Sequence, residues 1–197
     1  QIEMPAISWP IDSLSFPDTL TLDSLVTTPV FPDTVPTYVS KPLASIPRIV
    51  TVEDDPCNGL NHFAYITQGR GGVLVSSISN FMNPIATDTL VSQDYTYDLC
   101  RWDSLLFVAD GAAGIRVFNL TPLCTSGATP VYSHSYVLNT DAIKVCIDPL
   151  QGILFVLGSD SLLYAFRSLP GQLLPLDTLA PPSGGLFSDI RSANGFL

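Results

Sequence analysis

The sequence predicts an all-β chain of repeated four-stranded antiparallel units behind an extended, proline-rich arm. Three observations predict it. A strand–turn–strand pattern recurs as FAYITQGRGGVLV (Phe63 to Val75), LFVADGAAGIRV (Leu106 to Val117) and LFVLGSDSLLYAF (Leu154 to Phe166). The steps between copies are 42 residues and then 48, with 47 expected after a one-residue shortening of the third turn. A proline followed by an apolar residue keeps a similar step, at Pro84-Ile85, Pro130-Val131 and Pro175-Leu176. Finally, seven prolines (Pro5, Pro10, Pro17, Pro29, Pro32, Pro36 and Pro42) crowd into residues 1–46. A fixed period in the forties, with every unit all-β, indicates supersecondary units that bury their faces only by stacking.

The arm, residues 1–46, comes first. Proline fixes φ and drives its preceding residue into extended conformations, so no helix is expected there. It is too apolar for a freely solvated linker, carrying Trp9, Ile11, Leu14, Phe16, Leu20, Leu22, Leu25 and Phe31. Thr19 to Thr27 alternates as a half-buried strand does, and Phe16-Pro-Asp-Thr-Leu is echoed by Phe31-Pro-Asp-Thr-Val. An ordered arm lying along a surface fits these features; a stalk or tether is the alternative.

Repeats fill residues 47–197, in units of about 47–94, 95–141, 142–185 and an incomplete 186–197. In the second, strands are expected at Tyr95–Arg101, Leu105–Ala109, Ile115–Asn119 and Val131–Leu138, with glycines supplying positive φ in the Asp110–Gly114 turn. The third repeats the order at Ala142–Ile147, Ile153–Leu157, Leu162–Arg167 and Leu173–Leu179. The first has a longer opening turn, Asp54 to Asn61. A fourth begins with an expected strand at Leu186–Arg191, and Leu197 aligns with Leu106 inside a blade. An edge left open there would be completed by a longer polypeptide or by another chain. Four short antiparallel strands per repeat describe a β-propeller blade, about three and a half of them here.

The residues resemble one group in particular, the LVIVD-repeat propellers of exported bacterial surface proteins. Asp98, Phe107-Val-Ala-Asp-Gly111, Gly114-Ile-Arg-Val-Phe118 and Asn83-Pro84 match its pattern. The other units depart from it: Lys144 replaces the first-strand Asp that Asp189 restores, Gly158-Ser159 replaces Asp-Gly, and Gln68-Gly69 stands in the first unit. The resemblance covers roughly residues 47–197 and implies an exported scaffold or interaction module, with no shared enzymatic residue.

Composition bounds the function. Hydrophobic residues make up 46% and charged residues 13%, so the chain buries a large core or much surface against partners. No apolar run approaches the ~18 residues of a membrane helix, so no membrane-spanning segment is expected. A net charge of −10 and eight scattered Lys and Arg argue against nucleic acid, which needs a basic stripe. Beginning at Gln1, the chain is expected to be a mature form after signal-peptide removal, extracellular or at the cell surface.

Four cysteines without a Cys-x-x-Cys pair fit a non-cytosolic protein with up to two disulfides. Cys100 and Cys146 close two equivalent first strands, Cys57 lies in the first unit's long turn, and Cys124 lies in a loop on the same face. Cys57–Cys100 with Cys124–Cys146 would staple neighbouring units; Cys100–Cys146 alone is the rival. His62 and His134 fall in strands of different units, and neither is placed to activate a thiol. The acidic cluster Glu53-Asp54-Asp55 and the Asp110-Gly111 turn lack the spacing of a calcium loop, so no metal or other cofactor is expected. Gly69-Arg-Gly-Gly72 leads into no helix, which leaves it a hairpin turn rather than a phosphate cradle.

No catalytic motif emerges. The expectation is a non-enzymatic interaction protein that assembles with other protein chains, as a homo- or hetero-oligomer. Its arm would dock as an added strand through Phe16, Leu20 and Leu22. The alternative is a ligand-binding or sensor propeller, with its site at an axial channel mouth lined by Asp110-Gly111, Gln93-Asp94 and Asn139–Asp141.

Overall fold

The computed structural model describes residues 50–54, 62–80, 82–126, 129–183 and 185–191, with the backbone alone for 50–54 and 124–126. All lie within the compact unit Val39–Leu197. The arm, with Phe16, Leu20 and Leu22, and Cys57 fall outside the described residues.

Among the described residues, twelve strands form three four-stranded antiparallel sheets, each built from consecutive strands. The first holds β1 (Val50–Asp54), β2 (His62–Thr67), β3 (Val73–Ser77) and β4 (Ile85–Leu90). The second holds β5 (Asp98–Trp102), β6 (Leu105–Ala109), β7 (Ile115–Asn119) and β8 (Val131–Tyr136). The third holds β9 (Ala142–Asp148), β10 (Ile153–Gly158), β11 (Leu163–Leu169) and β12 (Gln172–Leu179). The expected strands are therefore present in all three units, within a few residues at their ends. Among the described residues the three blades stand side by side without closing into a ring.

Alternation explains how they stack. Phe107, Ala109, Ile115 and Val117 on one face of the second blade meet Val145, Ile147, Leu154, Val156 and Phe166 of the third. Residues of opposite parity, Leu106, Val108 and Phe118, turn to the first blade and meet Tyr65, Val73 and Val75. The second blade supplies half of both seams and the first and third half of one each, so the core lies between blades rather than within any of them.

Four sequence expectations change. The third hairpin turn is not shortened: Gly158 N donates to Leu162 O (3.0 Å) as Asp110 N does to Gly114 O (2.8 Å) and Gln68 N to Gly72 O (2.8 Å). The step of 48 therefore runs through the whole hairpin, and Phe155 pairs with Ala165 as Phe107 does with Val117. The proline marker also breaks. Each outermost strand carries a one-residue bulge, at Thr87, Ser133 and Leu176, and counted from it Pro84 and Pro130 correspond to Leu173. Pro175 instead sits inside β12, opposite Phe166. Third, the connection from β7 to β8 is not all loop but holds a short helix, α1 (Thr121–Ser126), entered by an Asx turn in which Thr121 N donates to Asn119 Oδ1 at 2.9 Å. Leu120 and Leu123 sink from this stretch into the first seam. Finally, residues 186–191 form no strand, although Asp189 reaches Lys144 on β9 at 3.5 Å.

Candidate functional site

Three places bear on function: the loops at the turn end of the blades, the cysteines, and the outer rim.

The turn end is where the channel-mouth expectation put its ligand groups, and the structure occupies them with the fold itself. Asp110 is fully buried. It accepts hydrogen bonds from Ser92 Oγ and from Gln93 N (2.8 Å), and lies 3.8 Å from Arg116 Nη1. Arg116, also buried, donates to Val91 O and covers the Phe118 and Tyr132 rings at 5.2 and 5.0 Å. A buried carboxylate is stable only when so paired. Asp94 accepts from Ala112 N at 2.9 Å, and its carboxylate fills the space a Cβ on Gly111 would take. Gly111 holds φ of 56°, so glycine is required there twice over.

The same loops join blades by a repeated clasp. Thr96 pairs with Gly69 of the preceding blade's turn, and Ala142 with Gly111. Ala142 N donates to Gly111 O at 2.9 Å, and Ser159 N in turn bonds Asp141 O at 2.9 Å. Thr96 adds its hydroxyl, which donates to Gly69 O (3.0 Å) and Gly72 O (2.9 Å). Sequence reading found Gly111 and Asp110 but missed Thr96 and Ser92, whose partners lie far away in the chain, and the pairing of Arg116 with Asp110. A second join crosses the inner strands, where Asp98 Oδ2 accepts from Val145 N at 3.1 Å. Burial pushes the Asp98 carboxyl above its ordinary range, against the opposing pull of that backbone bond and of Lys144.

The expected staples are corrected. Cys146 on β9 is buried as a free thiol, so Cys124–Cys146 does not form, nor does the rival Cys100–Cys146. Desolvation, with Asp98 and Asp189 nearby, pushes the Cys146 thiol up to about 11, which makes it a poor nucleophile. Cys100 is half-buried on β5, and the side chain of Cys124 in α1 lies outside the description. His62 and His134 lie on β2 and β8 as expected, and desolvation lowers the pKa of His134. Among the described residues no three His, Cys, Asp or Glu side chains gather as metal ligands, and no helix is long and apolar enough to cross a membrane.

The rim is different in kind. The outermost strands β4, β8 and β12 expose Ile85, Val131, Tyr132, Leu174, Leu176 and Leu179. None of the three carries a Lys or Arg, the usual guard of an edge strand. Two grooves flank the second seam: one of about 490 Å³ between Tyr136 and Leu176 at its turn end, one of about 640 Å³ beside Trp102 at the opposite end.

No family model matches the chain, and no curated protein does. Among solved structures it is similar to a candidate 6-phosphogluconolactonase from Bacteroides fragilis, with a TM-score of 0.53 and 20% identity. The match covers 68% of this chain and 39% of that one, so the chain spans well under half of that protein's length. The fold is β-propeller-like. Fainter likenesses are to a chain of the mitotic checkpoint complex (TM-score 0.47, 13% identity, 63% of this chain and 38% of that one) and to the N-terminal domain of Nup159 (0.42, 10%, 68% and 31%). What is shown is kinship of fold; the finer LVIVD-repeat pattern finds no matching model.

Proposed function

We propose that this is an exported, non-enzymatic interaction scaffold of the LVIVD-repeat type, which joins partner chains at the cell surface through its arm and its blade edges. One observation carries the reading. The tripeptide Asp-Thr-Leu follows the bulge in two outermost strands, as Asp88-Thr-Leu in β4 and Asp177-Thr-Leu in β12. In both, the Asp Oδ1 accepts from the next residue's N–H, at 2.7 Å for Thr89 and 2.8 Å for Thr178. The arm carries the same signature twice, in Asp18-Thr-Leu and Asp33-Thr-Val. An arm written like an outermost strand is suited to serve as one, on a blade of a neighbouring chain. Main-chain hydrogen bonds would supply affinity, and Phe16, Leu20 and Leu22 would fill pockets. Proline pre-orders the segment and so lowers the entropy lost on docking.

The unguarded rim supports the same reading, because six exposed apolar side chains on equivalent strands suit contact with protein. The LVIVD-type assignment rests on Phe107–Gly111 and Gly114–Phe118, which form the central hairpin of the second blade. Deleting residues 1–46 should leave a β-rich, cooperatively melting protein that no longer assembles, read by circular dichroism and light scattering. Assembly that survives the deletion would overturn the role given to the arm.

A further inference from the structure

The groove at the foot of the second seam is a built cavity that the scaffold reading does not use. It opens where Trp102 and the β5–β6 turn of one blade face the β11–β12 turn of the next. Its volume of about 640 Å³ lies within the range of small-molecule sites, roughly 300–1,000 Å³. Strand alternation decides what lines it. Trp102, Asn119 and Ser133 come from the second blade and Ser168 from the third, below the apolar core of the seam. Asp103 and Ser104 complete the rim from a turn in which Asp103 holds φ of 53°.

We propose that this groove binds a short, neutral saccharide. A sugar ring presents a flat C–H face and a girdle of hydroxyls, each both donor and acceptor. It is therefore recognised by an aromatic plane together with hydroxyl, amide and carboxylate groups. The groove offers that set: the Trp102 indole, the Asn119 amide, the Ser104 and Ser133 hydroxyls and the Asp103 carboxylate. Asn119 Oδ1 is engaged by Thr121 N, so its N–H donors are the atoms left for a ligand.

Charge selects the class. None of the described residues lining the groove is basic, and Asp103 is its one charged group, so phosphorylated or acidic sugars are disfavoured. Ser133 Oγ lies 2.9 Å from His134 Nδ1, and desolvation of that ring favours its uncharged form. The indole is set by its support. Gly152, at φ of 65°, lets Trp102 lie where a Cβ would come 2.6 Å from its Cη2.

The test uses the full chain carrying Trp9→Phe, which leaves Trp102 as its single tryptophan. Maltose, cellobiose, laminaribiose and chitobiose are titrated into the millimolar range, with glucose 6-phosphate and glucuronate as charged controls. The expected result is a saturable change in Trp102 emission with at least one neutral disaccharide, and with neither control. Ser133 is exposed, so Ser133→Phe fills the groove without disturbing the fold, and should weaken binding at least about tenfold by calorimetry. Asn119→Ala should weaken it several-fold. Silence with all four neutral disaccharides, equal binding by Ser133→Phe, or preference for a charged control would each overturn the proposal.

Discussion

At the scale of the residue, the deciding fact is that buried charge here serves cohesion. Asp110 sits in the turn position where the sequence suggested a ligand group, yet Ser92 and Gln93 hydrogen-bond it and the Arg116 guanidinium offsets its charge. Asp110→Ala would leave the Arg116 guanidinium buried without its counter-charge. Urea unfolding should show a loss of about 3–5 kcal/mol, the usual cost of breaking such a pair; a loss below about 1 kcal/mol would mean that Arg116 is not held as described. Asp98 makes the opposite prediction. Its pKa is raised from 3.8 in the folded state, so native protein holds that proton longer than the unfolded chain does. The stability this confers is full below the unfolded-state pKa and lost as pH rises through the folded one. Asp98→Asn can still accept from Val145 N and escapes the desolvation of a charge. Its melting temperature should match wild type near pH 3 and exceed it at pH 7. A deficit at pH 7 that disappears near pH 3 would instead assign Asp98 a favourable charge interaction.

At the scale of the element, strands were readable and their irregularities were not. Alternation at Phe107, Ala109, Ile115 and Val117, with glycines between, located the hairpin because every second side chain must enter a seam. A bulge adds one residue with no apolar signature, so Ser133 and Leu176 passed unseen. Pro175 fell close enough to the expected step to be mistaken for the equivalent of Pro84. Six residues of α1 are too few to show a helical period, and Pro122 within them reads equally well as a loop. Only the pairing registers of β4 and β12 tie the Asp-Thr-Leu tripeptide to the residue after a bulge. The seam clasp was hidden for a simpler reason: Thr96 and Gly69 stand 27 residues apart, and no local pattern announces such a bond.

At the scale of the whole molecule, stacking explains both the stability of the chain and its apolar rim. Each blade lends one face to each neighbour, so apolar pattern is spent on seams, and the rim is left with Ile85, Val131, Tyr132 and the β12 leucines in water. With only 13% of residues charged, little is left to guard that rim. Composition and topology together support the interaction surface proposed above, and the arm repeats the Asp-Thr-Leu signature found on that rim. The most direct test is to isolate the native particle and compare its mass by light scattering with the intact mass of the polypeptide inside it. A particle heavier than its polypeptide, holding two or more copies or a partner chain, is expected. A particle no heavier than the one polypeptide it contains would contradict the proposed assembly.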